Sequence, residues 1–148
     1  MPVEVTVAGE GCALVLRVLG DERPDELGGA DANWLMAEVE LRASTTGLFE
    51  ARQAVALRTE ELARFRDQLE RLLQTLTGEA VLTQMEDQLG CRVRLKDGVG
   101  DLDAFVRDEI GAELRVSQVR TDQSYLHETL AQIRALTSAF PVKGDALR

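Results

Sequence analysis

The sequence predicts an α+β fold: a twisted antiparallel sheet of about eight strands with two amphipathic helices on one face. Three observations predict it. Apolar residues recur at helical spacing in two segments, and they alternate with polar residues through most of the remaining chain. The composition, 45% hydrophobic and 29% charged, is that of a globular protein. The 148 residues suffice for a single domain, residues 1–148.

In the first half of the chain, the alternation predicts two hairpins, each tested by whether one register satisfies both faces of the sheet. A Gly9-Glu10 loop joins the first pair of strands, with glycine first as a type II′ turn requires. A Thr45–Gly47 loop, with its glycine in the left-handed conformation, joins the second pair and places Arg42 opposite Glu50. These strands cover residues 3–7, 12–18, 34–43 and 48–57.

The second half of the chain shows the same alternation. A strand at residues 79–84 precedes a hairpin closed by a Gly98-Val99 loop. A loop at residues 109–111 closes the next hairpin and places Arg107 opposite Glu113. The apolar side chains of both hairpins fall on one face, and charged side chains alternate on the other. This pattern is typical of an antiparallel sheet with one solvated face.

Two segments have the apolar spacing of amphipathic helices, residues 60–76 and residues 123–140. Thr59 is the expected N-cap of the first helix, and Gly78 is the expected C-terminal stop. Asp122 or Thr121 caps the second helix, and Pro141 ends it.

Four strands followed by a helix therefore occur twice, in residues 3–76 and 79–140. At the two junctions, residues 55–60 resemble residues 117–122 at an offset of 62. An internal duplication explains this similarity, and so does the common sequence pattern of a strand that leads into a capped helix.

The charge balance limits the classes of partner. Seventeen basic and 26 acidic residues give a net charge of −9. Such a chain repels nucleic acid and anionic membranes and attracts basic proteins. It contains no apolar run long enough to span a membrane, and residues 1–4 lack the basic start of a signal peptide. We therefore expect a cytoplasmic protein with no membrane or nucleic-acid partner.

The residues that could carry chemistry favour binding over catalysis. Glu38 and Glu40 share a strand face, but Glu40 has a cross-strand arginine, and the pair is expected to be structural. His127 is expected to be exposed on its helix, without a nucleophile beside it. Cys12 and Cys91 occupy inward strand positions, as inert buried cysteines do. We therefore expect no catalytic residue, metal ion or cofactor.

The most distinctive segment is an irregular stretch at residues 20–33, which carries five carboxylates and one arginine. Loops of this length are usually mobile or functional. Either a solvated connection or an electrostatic docking surface for a basic partner explains it. Trp34 follows directly, and a core position is favoured for it over a binding position. The candidate partner-binding residues are Asp21, Glu22, Asp25, Glu26, Asp31 and, more weakly, Trp34.

The segment Asp31-Ala32-Asn33-Trp34-Leu35, the hairpin after it, the Thr59-led helix and the helix from Leu126 to Pro141 resemble WapI-family immunity proteins. The resemblance implies a small cytoplasmic protein that binds and neutralises the toxic C-terminal domain of a polymorphic toxin. Such toxin domains are often nucleases with basic surfaces. The leading function is therefore a non-enzymatic, stoichiometric antitoxin. The alternative is a small-ligand-binding domain or a scaffold that dimerises through an exposed strand edge.

Overall fold

The computed structural model describes residues 3–144; the remaining residues of the expected domain 1–148 lie outside this range. Eight strands and two α-helices confirm the α+β class. A short 3-10 helix, Ala30–Asn33, precedes the third strand. The elements are β1 (Val3–Gly9), β2 (Cys12–Asp21), β3 (Trp34–Ser44), β4 (Leu48–Arg58), α1 (Thr59–Thr75), β5 (Gly78–Thr83), β6 (Leu89–Lys96), β7 (Val99–Arg107), β8 (Glu113–Asp122) and α2 (Gln123–Ala139).

The eight strands form two antiparallel sheets of four, in the orders β1-β2-β3-β4 and β5-β6-β7-β8. The division falls where α1 separates β4 from β5 along the chain, so those two strands do not continue one sheet. Helix α1 packs mainly along β5, helix α2 packs mainly along β1, and the helices contact each other. Helix α1 thus covers the edge strand of the second sheet, which follows it directly in the chain, and α2 covers the edge strand of the first sheet.

The core is one cluster of buried apolar side chains drawn from both sheets and both helices. Burial of one such side chain stabilises the fold by about 1.5–3 kcal/mol. The core therefore holds the two sheets and the two helices together as one body of packed side chains. Its largest fully buried members are Leu14, Leu35, Leu41, Leu57, Leu62, Phe65, Leu69, Leu89, Leu102, Leu126, Ile133 and Leu136.

The two ββββα units, the first at residues 3–75 and the second at residues 78–139, repeat one another in contacts as well as in order. Gln68 in α1 accepts a hydrogen bond from the Val81 N–H of β5 at 2.7 Å. Gln132 in α2 accepts one from the Thr6 N–H of β1, also at 2.7 Å. The two glutamines are 64 residues apart, as are the two helix starts. This structural offset is two residues larger than the offset of 62 at which residues 55–60 resemble residues 117–122.

Two of the four expected hairpin loops are confirmed. In β3–β4, Arg42 pairs with Glu50 across the Thr45–Gly47 loop, although Gly47 does not take the expected positive φ. In β7–β8, Arg107 pairs with Glu113. In both hairpins, complementary charges on the outer face agree with the apolar alignment on the inner face. This agreement is why the sequence alone fixes these registers.

The other two loops lie one residue from their expected positions. The β1–β2 turn is Glu10-Gly11, with Gly11 at φ +70°. A Cβ atom on Gly9 would lie 2.6 Å from the Arg120 carbonyl oxygen, so this glycine permits close approach of β8 instead of forming the turn. The β6–β7 turn is Asp97-Gly98, and both residues have the positive φ of a type I′ turn.

The helix ends show one confirmed cap and one different cap. Asp122 caps α2 and accepts a hydrogen bond from the Ser124 N–H at 2.8 Å. At the start of α1, Arg58 occupies the N-cap position in place of Thr59. At its end, Gly78 is not the stop, because Leu76 takes the left-handed conformation at φ 60°.

No helix within residues 3–144 is long and apolar enough to cross a membrane.

Candidate functional site

The acidic segment connects β2 to β3 through residues 22–33. At its base, the Glu22 N–H donates to the Trp34 carbonyl oxygen at 2.9 Å, which extends the β2–β3 pairing by one step. The segment then runs over the surface and returns through the 3-10 helix, where Ala32 is fully buried. Both ends of the connection are therefore fixed to the body of the protein.

Asn33 is the residue that holds this connection in place, and it is fully buried. Its side-chain oxygen accepts hydrogen bonds from the Thr59 hydroxyl at 2.6 Å and the Lys143 N–H at 2.7 Å. Its side-chain nitrogen donates to the Gly29 carbonyl oxygen at 2.9 Å and the Lys143 carbonyl oxygen at 3.1 Å. One amide thus joins the acidic segment, the start of α1 and the chain that follows α2. In the sequence, Asn33 is marked only as part of the segment that carries the family resemblance.

Asp21 lies apart from the other four candidate carboxylates. It is the last residue of β2, and its carboxylate is 3.5 Å from the Lys143 ammonium nitrogen. Both side chains are only 21% exposed. Asp21 therefore has a cation of its own and belongs to the attachment of the segment more than to its outer surface.

The other four candidates, Glu22, Asp25, Glu26 and Asp31, are exposed. Within residues 3–144, no lysine or arginine nitrogen lies within 4 Å of their carboxylate oxygens. Their negative charge is consequently not neutralised by direct ion pairs, and it projects into solvent.

Trp34 is half-buried on the outer face of β3, so the favoured core position is wrong. The inward position belongs to its neighbour Leu35, which is fully buried. The Arg58 guanidinium carbon lies 5.9 Å from the centroid of the indole ring, within the range of a cation–π contact. One side of the tryptophan is thus supported by the protein, and the other contributes to the surface.

Glu86 joins this surface from the second unit and is not among the residues predicted from the sequence. A cavity of about 160 Å³ is lined by Glu22, Asp31, Trp34 and Glu86, together with Arg23 and Ala56. No pattern in the sequence relates the β5–β6 turn to the acidic segment. We call the set Glu22, Asp25, Glu26, Asp31, Glu86 and Trp34 the acidic surface.

Two buried polar side chains hold the β5–β6 turn beside the acidic segment. Gln84 donates to the Ala56 carbonyl oxygen at 2.8 Å. The Glu61 carboxylate accepts from the Arg58 N–H at 2.8 Å and from the Met85 N–H at 2.7 Å. Burial raises the pKa of Glu61, and these two backbone hydrogen bonds oppose the rise. Glu86 is therefore positioned by the contacts of the two residues that precede it.

The carboxylates on the outer face of the first sheet, in contrast, have cationic partners. Arg17 reaches Glu4 at 2.6 Å, Glu38 at 3.1 Å and Glu40 at 3.2 Å. Arg52 reaches Glu40 from the other side at 3.3 Å. Glu40 is buried beneath these guanidinium groups instead of solvated. Glu38 and Glu40 are thus members of an ion-pair network, as their cross-strand arginine indicated.

The remaining candidates for chemistry are isolated from one another. Cys12 and Cys91 are buried, and burial raises the pKa of the Cys91 thiol to about 12. The reactive thiolate is therefore disfavoured. His127 is exposed on α2, as expected. Within residues 3–144, no group of three or more histidine, cysteine and acidic side chains is arranged to hold a metal ion.

A further cavity of about 250 Å³ lies on the outer face of the second sheet, where Phe105 forms part of its lining. The Arg107 and Arg115 guanidinium carbons lie 5.0 and 4.8 Å from the ring centroid. This cavity is open and mixed in charge. The space between the sheets and helices is occupied by core side chains. A deep apolar pocket there was the feature expected of a small-ligand-binding domain.

Comparison with known proteins identifies one family and one fold. The model of the WapI-like immunity protein family matches residues 6–141. No curated protein matches the chain in sequence. Among solved structures, that of the plant transcriptional regulator PBF-2 is similar, with a TM-score of 0.56 and 8% sequence identity over 95% of this chain and 82% of that one. At this identity, the likeness concerns the arrangement of strands and helices.

Proposed function

The chain belongs to the WapI-like immunity protein family, and from this premise we propose that it neutralises a toxin domain by binding it in a stoichiometric complex. The proposed partner is a basic protein domain. The complex works by occlusion, so the proposal requires no bond to be made or broken and no cofactor. The acidic surface is the proposed contact region.

The observation that carries this proposal is a group of exposed carboxylates that form no direct ion pair in the described chain, with Arg23 as the one basic residue that lines the same cavity. Elsewhere on the first sheet, acidic side chains such as Glu40 are matched by arginines at 3.2 and 3.3 Å. On the acidic surface, all five exposed carboxylates lack a lysine or arginine nitrogen within 4 Å in the described chain. Charge left unmatched in this way attracts a basic partner, raises its association rate and makes the rate depend on salt.

The surface is held in place before any partner arrives, which favours binding. The four hydrogen bonds of Asn33 fix the returning end of the acidic segment. The Glu61 carboxylate fixes the turn that carries Glu86. A surface ordered in advance loses less conformational entropy in a complex than a mobile loop does.

Trp34 supplies the apolar element of the proposed interface. Its ring lies half-buried beside Glu22, Asp31 and Glu86 around the 160 Å³ cavity. An arginine or lysine side chain of the partner would place its aliphatic stem against the indole and its charge among the carboxylates. Aromatic residues beside charged groups are frequent sites of strong binding at protein interfaces.

The direct test purifies the product of the neighbouring gene, which is the proposed source of the toxin domain. We expect the two purified proteins to form a one-to-one complex in isothermal titration calorimetry, and co-expression to relieve the growth defect caused by the toxin domain. The variant Trp34→Ala tests the contact region, with Phe105→Ala on the other sheet as its control. A toxin domain that binds neither wild type nor variants, and whose effect on growth is unchanged by co-expression, would contradict the proposal.

A further inference from the structure

The edges of the two sheets differ in what covers them. At the β1 edge, Thr6 donates its N–H to Gln132 and accepts the Thr129 hydroxyl at its carbonyl oxygen, each at 2.7 Å. At the β5 edge, the Val81 N–H donates to Gln68. A helix lies along each of these edges and forms side-chain hydrogen bonds with its backbone groups. Neither edge is therefore open to another strand.

The β8 edge is interrupted by a bulge. The register between β7 and β8 shifts between Leu102 and Ala104, where Gln118 takes φ 55°. The Gln118 N–H donates to the Asp103 carboxylate at 2.7 Å, which fixes the bulge. A bulge twists an edge strand and breaks the regular spacing of its backbone groups, so it opposes pairing with another strand.

The β4 edge has neither a helix nor a bulge along its first half. Its eleven residues pair with β3 in an unbroken register. Towards its end, the Ala56 carbonyl oxygen accepts from Gln84, and Gln53 donates to Arg107. Within residues 3–144, no other segment pairs with the stretch from Leu48 to Arg52. Two large apolar side chains are exposed at its start, Leu48 at 58% and Phe49 at 64%.

We propose that this edge is a homodimer interface, in which β4 of one copy pairs antiparallel with β4 of a second copy about a twofold axis at Ala51. An antiparallel pairing centred on Ala51 places Glu50 of each copy directly opposite Arg52 of the other. The strand is therefore complementary in charge to itself. Opposite charges at such positions stabilise a strand pair, and like charges destabilise it.

The pairing continues a charge pattern that the monomer already contains. Within one chain, Glu40 of β3 lies opposite Arg52, and Arg42 lies opposite Glu50. Across the dimer, the row therefore alternates in sign from Glu40 to Arg52 and on to Glu50 and Arg42 of the second copy. The Arg52 side chain is 54% exposed, which leaves its guanidinium accessible to a second carboxylate.

The same register covers the exposed apolar residues. Phe49 falls opposite Gln53 of the second copy, and Leu48 falls opposite Ala54. A groove of about 410 Å³ runs beside β4, between Glu50–Gln53 on one side and the β7–β8 hairpin on the other. This groove provides space for the side chains of an added strand. The inference goes beyond toxin binding, because it concerns a different surface and a second copy of this chain.

Two charge variants that are each unable to pair with themselves provide the test. In Glu50→Lys, both contacts become Lys opposite Arg; in Arg52→Glu, both become Glu opposite Glu. We expect sedimentation velocity to show a wild-type dimer and at least about a tenfold weaker self-association for each variant. Mixing the two variants restores both ion pairs, so we expect a heterodimer. Glu128→Lys, with the same change of charge at an exposed position on α2, is expected to dimerise like wild type.

Several outcomes would overturn the inference: a monomeric wild type at every concentration, a dimer that Glu50→Lys leaves intact, or a mixture of the two variants that stays monomeric. Circular dichroism establishes that each variant is folded. Should Arg52→Glu fail to fold, because Glu40 then has Arg17 alone, the exposed Phe49→Lys serves in its place as a lysine at the strand edge. In that case, persistence of the dimer in Phe49→Lys would contradict the inference.

Discussion

The β2–β3 connection of the first unit and the β6–β7 connection of the second occupy the same place in their units, yet they differ in length and charge. The first has twelve residues, 22–33, and carries most of the acidic surface. The second is the two-residue turn Asp97-Gly98. Both connections meet the start of the helix of their own unit and the chain that follows the helix of the other.

The two connections make these contacts by different means. In the second unit, the backbone of Gly98 suffices: its N–H donates to the Leu76 carbonyl oxygen and its carbonyl oxygen accepts from the Gln123 N–H, each at 2.9 Å. In the first unit, the side chain of Asn33 makes the corresponding contacts, with Thr59 and Lys143. In the longer connection, the buried side-chain amide of Asn33 takes the place of the backbone groups of Gly98.

This difference shows that the fold itself requires only two residues at this junction. The additional residues of the first connection add four carboxylates without cationic partners to the surface, while Asn33 keeps the junction closed. We propose that the scaffold and the partner contact are separated in this molecule. The repeated unit builds the core, and the inserted acidic segment carries the proposed contact with a partner.

The largest expected effect follows from removal of the Asn33 side chain. Asn33→Ala leaves the Thr59 hydroxyl and the Lys143 backbone groups without their partner, which costs about 3 kcal/mol of unfolding free energy. Thr59→Val removes one of these hydrogen bonds and is expected to cost about 1 kcal/mol. Chemical denaturation measures both. Equal and small losses would mean that Asn33 does not hold the junction.

The same substitution in the two connections sharpens the comparison. Gly98 has φ +86°, and alanine there is strained, so Gly98→Ala is expected to cost about 1–2 kcal/mol. Gly28 lies in the long connection without a positive φ, and its nearest neighbouring atom to an added Cβ is 3.7 Å away. Gly28→Ala is expected to change stability by about 0.5 kcal/mol or less. Thermal denaturation of the two variants in parallel measures these losses. A larger loss of stability in Gly28→Ala than in Gly98→Ala would contradict the comparison.

The two helix starts are expected to respond to acid in opposite directions. Burial raises the pKa of Glu61 above its ordinary 4.5, so wild type gains stability relative to Glu61→Gln as pH falls from neutral through that raised pKa. The hydroxyl and N–H of Ser124 lower the pKa of Asp122 below its ordinary 3.8. Wild type therefore loses stability relative to Asp122→Asn as pH falls below 3.8. Denaturation at a series of pH values measures both differences; changes of the same sign would contradict the assignment.

Features determined by local pattern could be predicted from the sequence. The apolar spacing predicted both helices, and charge pairs such as Arg42 with Glu50 predicted two hairpin registers. The predicted positions of the β1–β2 and β6–β7 turns were wrong by one residue. Two glycines lie near each turn, and the sequence does not show which of them forms the turn. Gly9 permits the approach of β8, whereas Gly98 forms its turn.

Features that join distant parts of the chain could not be predicted in this way. Asn33 contacts Lys143, which is 110 residues away, and Glu86 meets the acidic segment from the other unit. The division into two sheets likewise depends on how α1 and β5 pack. None of these leaves a periodic signal, since each depends on the tertiary arrangement. The four exposed acids were predictable as a charged loop, but their lack of cationic partners was not.

The central claim is that the inserted segment acts through its unmatched negative charge, and the salt dependence of toxin-domain association tests it directly. The variant Glu22→Gln/Asp25→Asn/Glu26→Gln is compared with Glu10→Gln/Glu109→Gln/Glu128→Gln, which removes the same charge from exposed sites elsewhere. In stopped-flow measurements at low salt, we predict about tenfold slower association for the first variant and a flatter dependence on ionic strength. We predict a wild-type dependence for the control. Equal rates and slopes for the two variants would contradict the claim.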